Sequence, residues 1–141
     1  MLQPKRMKWR RNHLVRPKAA ASRGNTVAFG DYGLVATEAG YISNKQIEAA
    51  RVVLSRYTKK TGKSYIRVFP YLGITKKPAE VRMGNGKGTV DGWWAVVEKG
   101  AVLFEIGGVS AEDCKTALHQ AGYKLSVTTK VIAKAQKGEV K

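Results

Sequence analysis

No acidic residue precedes Asp31, whereas eight basic ones do: Lys5, Arg6, Lys8, Arg10, Arg11, Arg16, Lys18 and Arg23. A stretch of that polarity cannot supply a hydrophobic core, so the folded body must come from the residues that follow. Residues 93–123 run the other way, with Lys99 and Lys115 set against Glu98, Glu105, Glu112 and Asp113, and residues 124–141 are basic again. The whole chain of 141 residues carries a formal charge of +16. Self-repulsion on that scale disfavours an isolated compact molecule and points to a polyanionic partner. The length suits one domain.

Several classes drop out early. There is no apolar run long enough to span a membrane. Cys114 is the single cysteine, which rules out an intramolecular disulfide and a cysteine-rich zinc site. His13 and His119 stand in no metal-ligand pattern, so neither a metal nor a cofactor is expected. The basic N-terminus lacks the apolar segment of a secretory signal, and Pro4 and Pro17 interrupt the helix that a transit peptide needs; it is read as part of the mature protein. Trp9, with Met7 and Leu14, argues against a merely solvating tail. An indole among arginines can stack on bases while the guanidinium groups meet phosphates.

The pattern predicts an α+β domain over 26–131, with a basic, extended RNA-binding arm at 1–25 and a frayed tail at 132–141. TVAFGDYGLVAT (26–37), broken by Gly30 and Gly33, reads as two short strands with a turn or bulge. Ser43 and Gln46 have capping-box spacing ahead of a helix whose stripe is Ile47, Ala50, Leu54 and Tyr57, with Gly62 as its stop. Lys45, Arg51 and Arg56 fall on its outer face, where solvation and RNA contact are both open readings. SYIRVFP (64–70) reads as a strand that sets Arg67 between Tyr65 and Phe69, an RNA-facing edge or an ordinary half-buried one. Residues 71–80 read as a connection. WWAVVE (93–98) and AVLFEI (101–106) read as a hairpin about Lys99–Gly100. Ser110 should cap a second helix that buries Cys114 and ends at Gly122, and KLSVTTKVI (124–132) should be the last strand.

The stretch VRMGNGKGTVDGWW (81–94) carries four glycines, an arginine and a lysine. It is not a nucleotide-binding loop. A P-loop requires a glycine five places before Gly86–Lys87 and a Ser or Thr after it, and the sequence has Val81 and Gly88. A dinucleotide fingerprint needs a following helix, and a strand follows instead. With no acid–base partner nearby, an enzyme is not expected. Alternating glycines leave backbone N–H groups able to approach phosphates, and Arg82, Asn85 and Lys87 add donors. The loop 82–92 reads as one shaped for RNA.

These residues also carry a resemblance. MLQPKR at the start, QIEAAR (46–51), GKSYIRVFP (62–70), KKPAEVRMGNGKG (76–88) and VLFEI (102–106) resemble the bacterial-type large-subunit ribosomal protein number sixteen over most of the chain. Asn85 stands where that family often has lysine, Tyr65 where it has tryptophan, and Asp91–Gly92 where it has an acid and an aromatic. The resemblance implies two helices against a mixed, mostly antiparallel, hammerhead-like sheet. It also implies a structural, non-enzymatic constituent of the large ribosomal subunit in the cytoplasm. Its partners would be large-subunit rRNA near the central protuberance, tRNA in the aminoacyl and peptidyl sites, and neighbouring ribosomal proteins; its role would extend to late assembly.

The expected rRNA contacts are Lys5, Arg6, Lys8, Trp9, Arg10, Arg11, Arg16, Lys18, Arg51 and Arg67. The loop implied to lie near the peptidyl-transferase region is Arg82, Met83, Gly84, Asn85, Gly86, Lys87 and Gly88. Other classes remain to be weighed: a free RNA-binding or chaperone module, a nucleotide-dependent enzyme and, less favoured, a DNA-binding architectural protein.

Overall fold

Nine elements build the chain in this computed structural model, which describes residues 1–17, 20–59 and 61–135. They are β1 (Tyr32–Ala36), β2 (Gly40–Ser43), α1 (Asn44–Thr58), β3 (Lys63–Ile66), β4 (Leu72–Lys76), β5 (Thr89–Val97), β6 (Val102–Gly107), α2 (Ala111–Gly122) and β7 (Thr129–Ala133). The result is a single α+β domain. The strands form two sheets rather than the single one expected, in the orders β3-β6-β1-β7 and β2-β5-β4, and every pairing between them is antiparallel.

Both helices begin as their sequence dictates. Ser43 Oγ accepts from the Gln46 N–H at 3.2 Å while Gln46 Oε1 accepts from the Ser43 N–H at 3.0 Å, so two orphan donors are satisfied reciprocally. Ser110 Oγ accepts from the Asp113 N–H in the same way. Helix α1 buries Ile47, Ala50, Leu54 and Thr58, and α2 buries Cys114, Ala117, Leu118 and Ala121. These two stripes meet Leu34, Ala36, Phe104 and Ile106 of the first sheet, and Ala95 and Val97 of the second, in one core. Helix α1 stops at Lys59, which takes a positive φ of 44°, and not at Gly62. Gly62 serves packing instead: a Cβ there would sit 2.3 Å from Val109 Cγ2.

Five expectations about strands and connections fail for identifiable reasons. Residues 26–31 form no strand, because the N–H groups of Ala28, Phe29 and Gly30 donate to the Glu105 carboxylate rather than to a neighbouring strand. The 93–98 and 101–106 segments are not a hairpin. Ala36 donates to the carbonyl of Ala101 and accepts from Gly100, so β6 joins β1 while β5 stays with β2 and β4. Residues 71–80 contain β4, which pairs Leu72 with Trp94 and Lys76 with Thr89. The 64–70 and 124–132 segments are strand only over β3 and β7, with Pro70 buried and Leu125 bonded back to Gly122 in a turn. The alternation that suggested longer strands continues through Val68, whose neighbour Arg67 still donates its N–H to Leu103.

Candidate nucleic-acid interface

The first seventeen residues contain no regular element and lie against the body rather than extending freely from it. Their few apolar side chains do the anchoring. Leu2 packs on the core, and its carbonyl accepts from Asn44 Nδ2 at 3.4 Å. Met7 reaches Gly73, where a Cβ would come within 3.3 Å of its Cε. Tyr41 Oη donates to the Val15 carbonyl at 2.8 Å. With Leu2, Pro4 and Met7 turned inward, Lys5, Arg6, Lys8, Arg10, Arg11 and Arg16 are all exposed. Trp9 is 68 % exposed, and Lys8 Nζ lies 5.5 Å from its ring centroid. Lys18 falls outside the described residues.

This segment runs beside β5 and encloses two adjoining hollows. One, of about 610 Å³, lies among Trp9, Arg10, Arg11, Thr89 and Val90. The other, of about 470 Å³, lies among Lys5, Arg6, Met7, Arg10, Val90 and Trp93. They share Arg10 and Val90, so together they make one cationic trough with an indole on each side. The β5 wall of that trough was not singled out from sequence. Trp93 was its only sequence clue, as the aromatic following the glycine loop.

The glycine loop connects β4 to β5, and its tip stands clear of the body. Gly84, Asn85 and Gly86 have φ values of 93°, 60° and 94°, in the left-handed region, yet no atom lies within 4 Å of a Cβ built on either glycine. Conformation, not crowding, therefore demands glycine at 84 and 86. Asn85 fits the same rule, since asparagine tolerates a positive φ far better than lysine does. Gly88 differs: a Cβ there would strike the Lys76 carbonyl at 2.7 Å, so it closes the base of the loop. Lys77 Nζ braces the tip by donating to the Gly84 carbonyl. Arg82 is exposed and Met83 is 96 % exposed. Lys87 Nζ donates to the Asn12 carbonyl, which ties the loop to the N-terminal segment. Two features that sequence treated separately are thus one continuous surface.

Two of the expected contacts pair with carboxylates. Arg51 is held by Glu48 through two bonds of 2.6 and 3.0 Å, and the Glu48 carboxyl lies below its usual range chiefly because of that hydrogen bond. Arg67 does not present a free charge between two aromatics. Its guanidinium donates to the buried Glu105 carboxylate and lies 5.1 Å from the Phe29 ring centroid. Burial pushes the Glu105 carboxyl up, but the N–H groups of Gly30, Ala28 and Phe29 and the Arg67 guanidinium together hold it below the usual carboxylate range. These are the two ion pairs among the described residues, so the trough and loop cations meet no carboxylate there.

Among the described residues, no histidine, cysteine or acidic side chain lines the two hollows. Cys114 is buried in the core, and burial pushes its thiol up, away from a reactive thiolate. His119 is exposed on α2 with Tyr123 Oη 2.9 Å from its Nε2. No helix among the described residues is long and apolar enough to cross a membrane.

Residues 4–132 match the family model described as Ribosomal protein L16p/L10e. The chain belongs to that family. It is 53 % identical over 138 residues to the "Large ribosomal subunit protein uL16" of Levilactobacillus brevis, covering 98 % of this chain and 96 % of that one. The protein of the same name from Malacoplasma penetrans is 51 % identical over 136 residues, covering 96 % and 97 %. That of Thermosipho melanesiensis is 51 % identical over 138 residues, covering 98 % and 97 %. L16p/L10e is a family of ribosomal proteins, not of enzymes. Both the docked segment and the glycine loop lie within the matched span from residue 4 onward.

Proposed function

We propose that this L16p/L10e protein is a structural constituent of the large ribosomal subunit in the cytoplasm. In this reading it binds large-subunit rRNA near the central protuberance, contacts neighbouring ribosomal proteins, helps form the aminoacyl and peptidyl tRNA sites, and joins late in assembly. The observation that carries the reading is the continuous cationic surface made by the docked N-terminal segment and the glycine loop, joined where Lys87 holds Asn12.

Lys5, Arg6, Lys8, Arg10 and Arg11 meet phosphates along the trough, and Trp9 offers its exposed ring to a base. Lys18 belongs to the same basic run. Arg82 and Lys87 hold the glycine loop near the RNA that binds tRNA, with Gly84, Asn85 and Gly86 keeping the backbone bare enough for close approach. The protein positions RNA and supplies no catalytic group to peptide-bond formation. If about six cations each neutralise one phosphate, the logarithm of affinity falls with the logarithm of salt at a slope of roughly −4 to −5.

Crosslinking in growing cells, followed by sequencing of the attached RNA, tests the reading. Reads concentrated in a few segments of large-subunit rRNA, with some tRNA, are expected. Reads scattered over many messages would replace it with a free RNA-binding module.

A further inference from the structure

A second aromatic surface shares no lining residue with the trough. Where the chain leaves β3, Phe69 and Tyr71 are 45 % and 49 % exposed, and among the described residues neither stacks on another ring. They border a cleft of about 270 Å³ whose floor is the buried Val97, Val102 and Leu103, and Arg23 stands at its lip. The lip is fixed. Gly24, with a φ of 64°, accepts the Val102 N–H at 2.9 Å, and Arg67 donates its N–H to Leu103 at 2.9 Å.

The electrostatics of this cleft are one-sided. Arg67 borders it too, but its charge is committed to Glu105, which is fully buried and also accepts three backbone N–H groups. Arg23 is exposed, and no acidic side chain lines the cleft. An apolar floor, two aromatic side chains and one free guanidinium at a rigid rim fit a planar ring system that carries a phosphate. The small volume suits a single base rather than a helix or a strand.

We propose that this cleft takes one unpaired nucleotide of the bound RNA, its base stacked against Phe69 and Tyr71 and its phosphate on Arg23. The inference rests on the RNA-binding reading above, and it adds a second contact with a different set of residues. Through it the protein grips RNA in two ways: by charge along the trough and by stacking at the cleft.

Zero-length photocrosslinking of the full chain in assembled subunits, with both the peptide and the nucleotide mapped, tests it. The expected result is an RNA adduct on residues 68–71 in addition to adducts on the N-terminal segment and the loop. Replacing Phe69 and Tyr71 together by Ala should remove that adduct and weaken binding to the crosslinked rRNA fragment by about five- to a hundredfold. The exchange Phe69→Tyr with Tyr71→Phe should retain both. Adducts confined to the N-terminal segment and the loop of the unaltered chain would overturn the cleft while leaving the broader RNA reading intact. No RNA adduct anywhere would sink both. A photoreactive residue placed at position 69 that captures a protein would assign the cleft to a protein contact and defeat the proposal.

Discussion

The two sheets are built from similar strands but are finished in opposite ways. The β3-β6-β1-β7 sheet has helices on one face and residues 24–30 across the other, and all of Val102–Ile106 is buried. Its one buried charge, Glu105, has four donors around it. The β2-β5-β4 sheet carries the irregular N-terminal segment and the protruding glycine loop, and the cations gathered there face solvent. One sheet pairs its buried charge internally; beside the other, the trough and loop cations meet no carboxylate among the described residues.

Substitutions in the first sheet should act on stability, and those on the second sheet on RNA. The largest effect is expected from Glu105→Ala, which strands the Arg67 guanidinium and three N–H groups. It should cost about 3–5 kcal/mol in denaturant unfolding, with RNA contact at the trough and the glycine loop of the folded molecule unchanged. The same carboxylate gives stability a pH dependence. Because its folded pKa is depressed, its contribution is present above the unfolded value near pH 4.3 and is lost as pH falls through the folded value. Thermal melts between pH 7 and pH 3 should show that acid loss in the natural chain and a flatter profile in the variant.

Reversing Lys5, Arg6, Arg10 and Arg11 to Glu should lower RNA affinity by more than about a hundredfold in 0.15 M salt and make the salt slope shallower by about 3 units. Its unfolding midpoint should stay near that of the natural chain. Gly86→Val acts on the loop alone. With open space around it but a φ of 94°, the substitution should cost at most about 1–2 kcal/mol of strain while reducing tRNA binding more than rRNA binding. Equal loss of both would mean that trough and loop are not separable. The smallest effect is expected from Arg51→Ala, whose charge Glu48 already answers on the surface of α1; rRNA affinity should be unaltered within error.

The sequence made the helices legible because the signals are local. Ser43 with Gln46 and Ser110 with Asp113 announce the starts, and period-3.6 stripes give the buried faces. It also made the loop legible as an exposed, glycine-dependent turn, since the spacing of Gly84, Gly86 and Lys87 excluded the nucleotide motifs. The sheets were harder, because pairing is decided by partners far along the chain. Nothing near Trp93–Val97 reveals that Ala36 will take the hydrogen bonds a hairpin would have used. Nothing in TVAFGD reveals that Glu105, more than seventy positions away, will claim its amides. For the same reason Arg67 looked available when its charge is internal. The N-terminal cations were identifiable from composition, but their docking was not, because it depends on Leu2, Met7 and a single lysine reaching Asn12.

Strand β5 begins at the foot of the glycine loop and ends in the core, and its nine residues span about 30 Å. At about 30 Å the attraction between two unit charges in a medium of effective dielectric constant about 20 is only about half a kcal/mol, so the two ends of β5 are weakly coupled electrostatically. The loop can then surround itself with phosphates, or lose them, with little electrostatic consequence at the core end of β5.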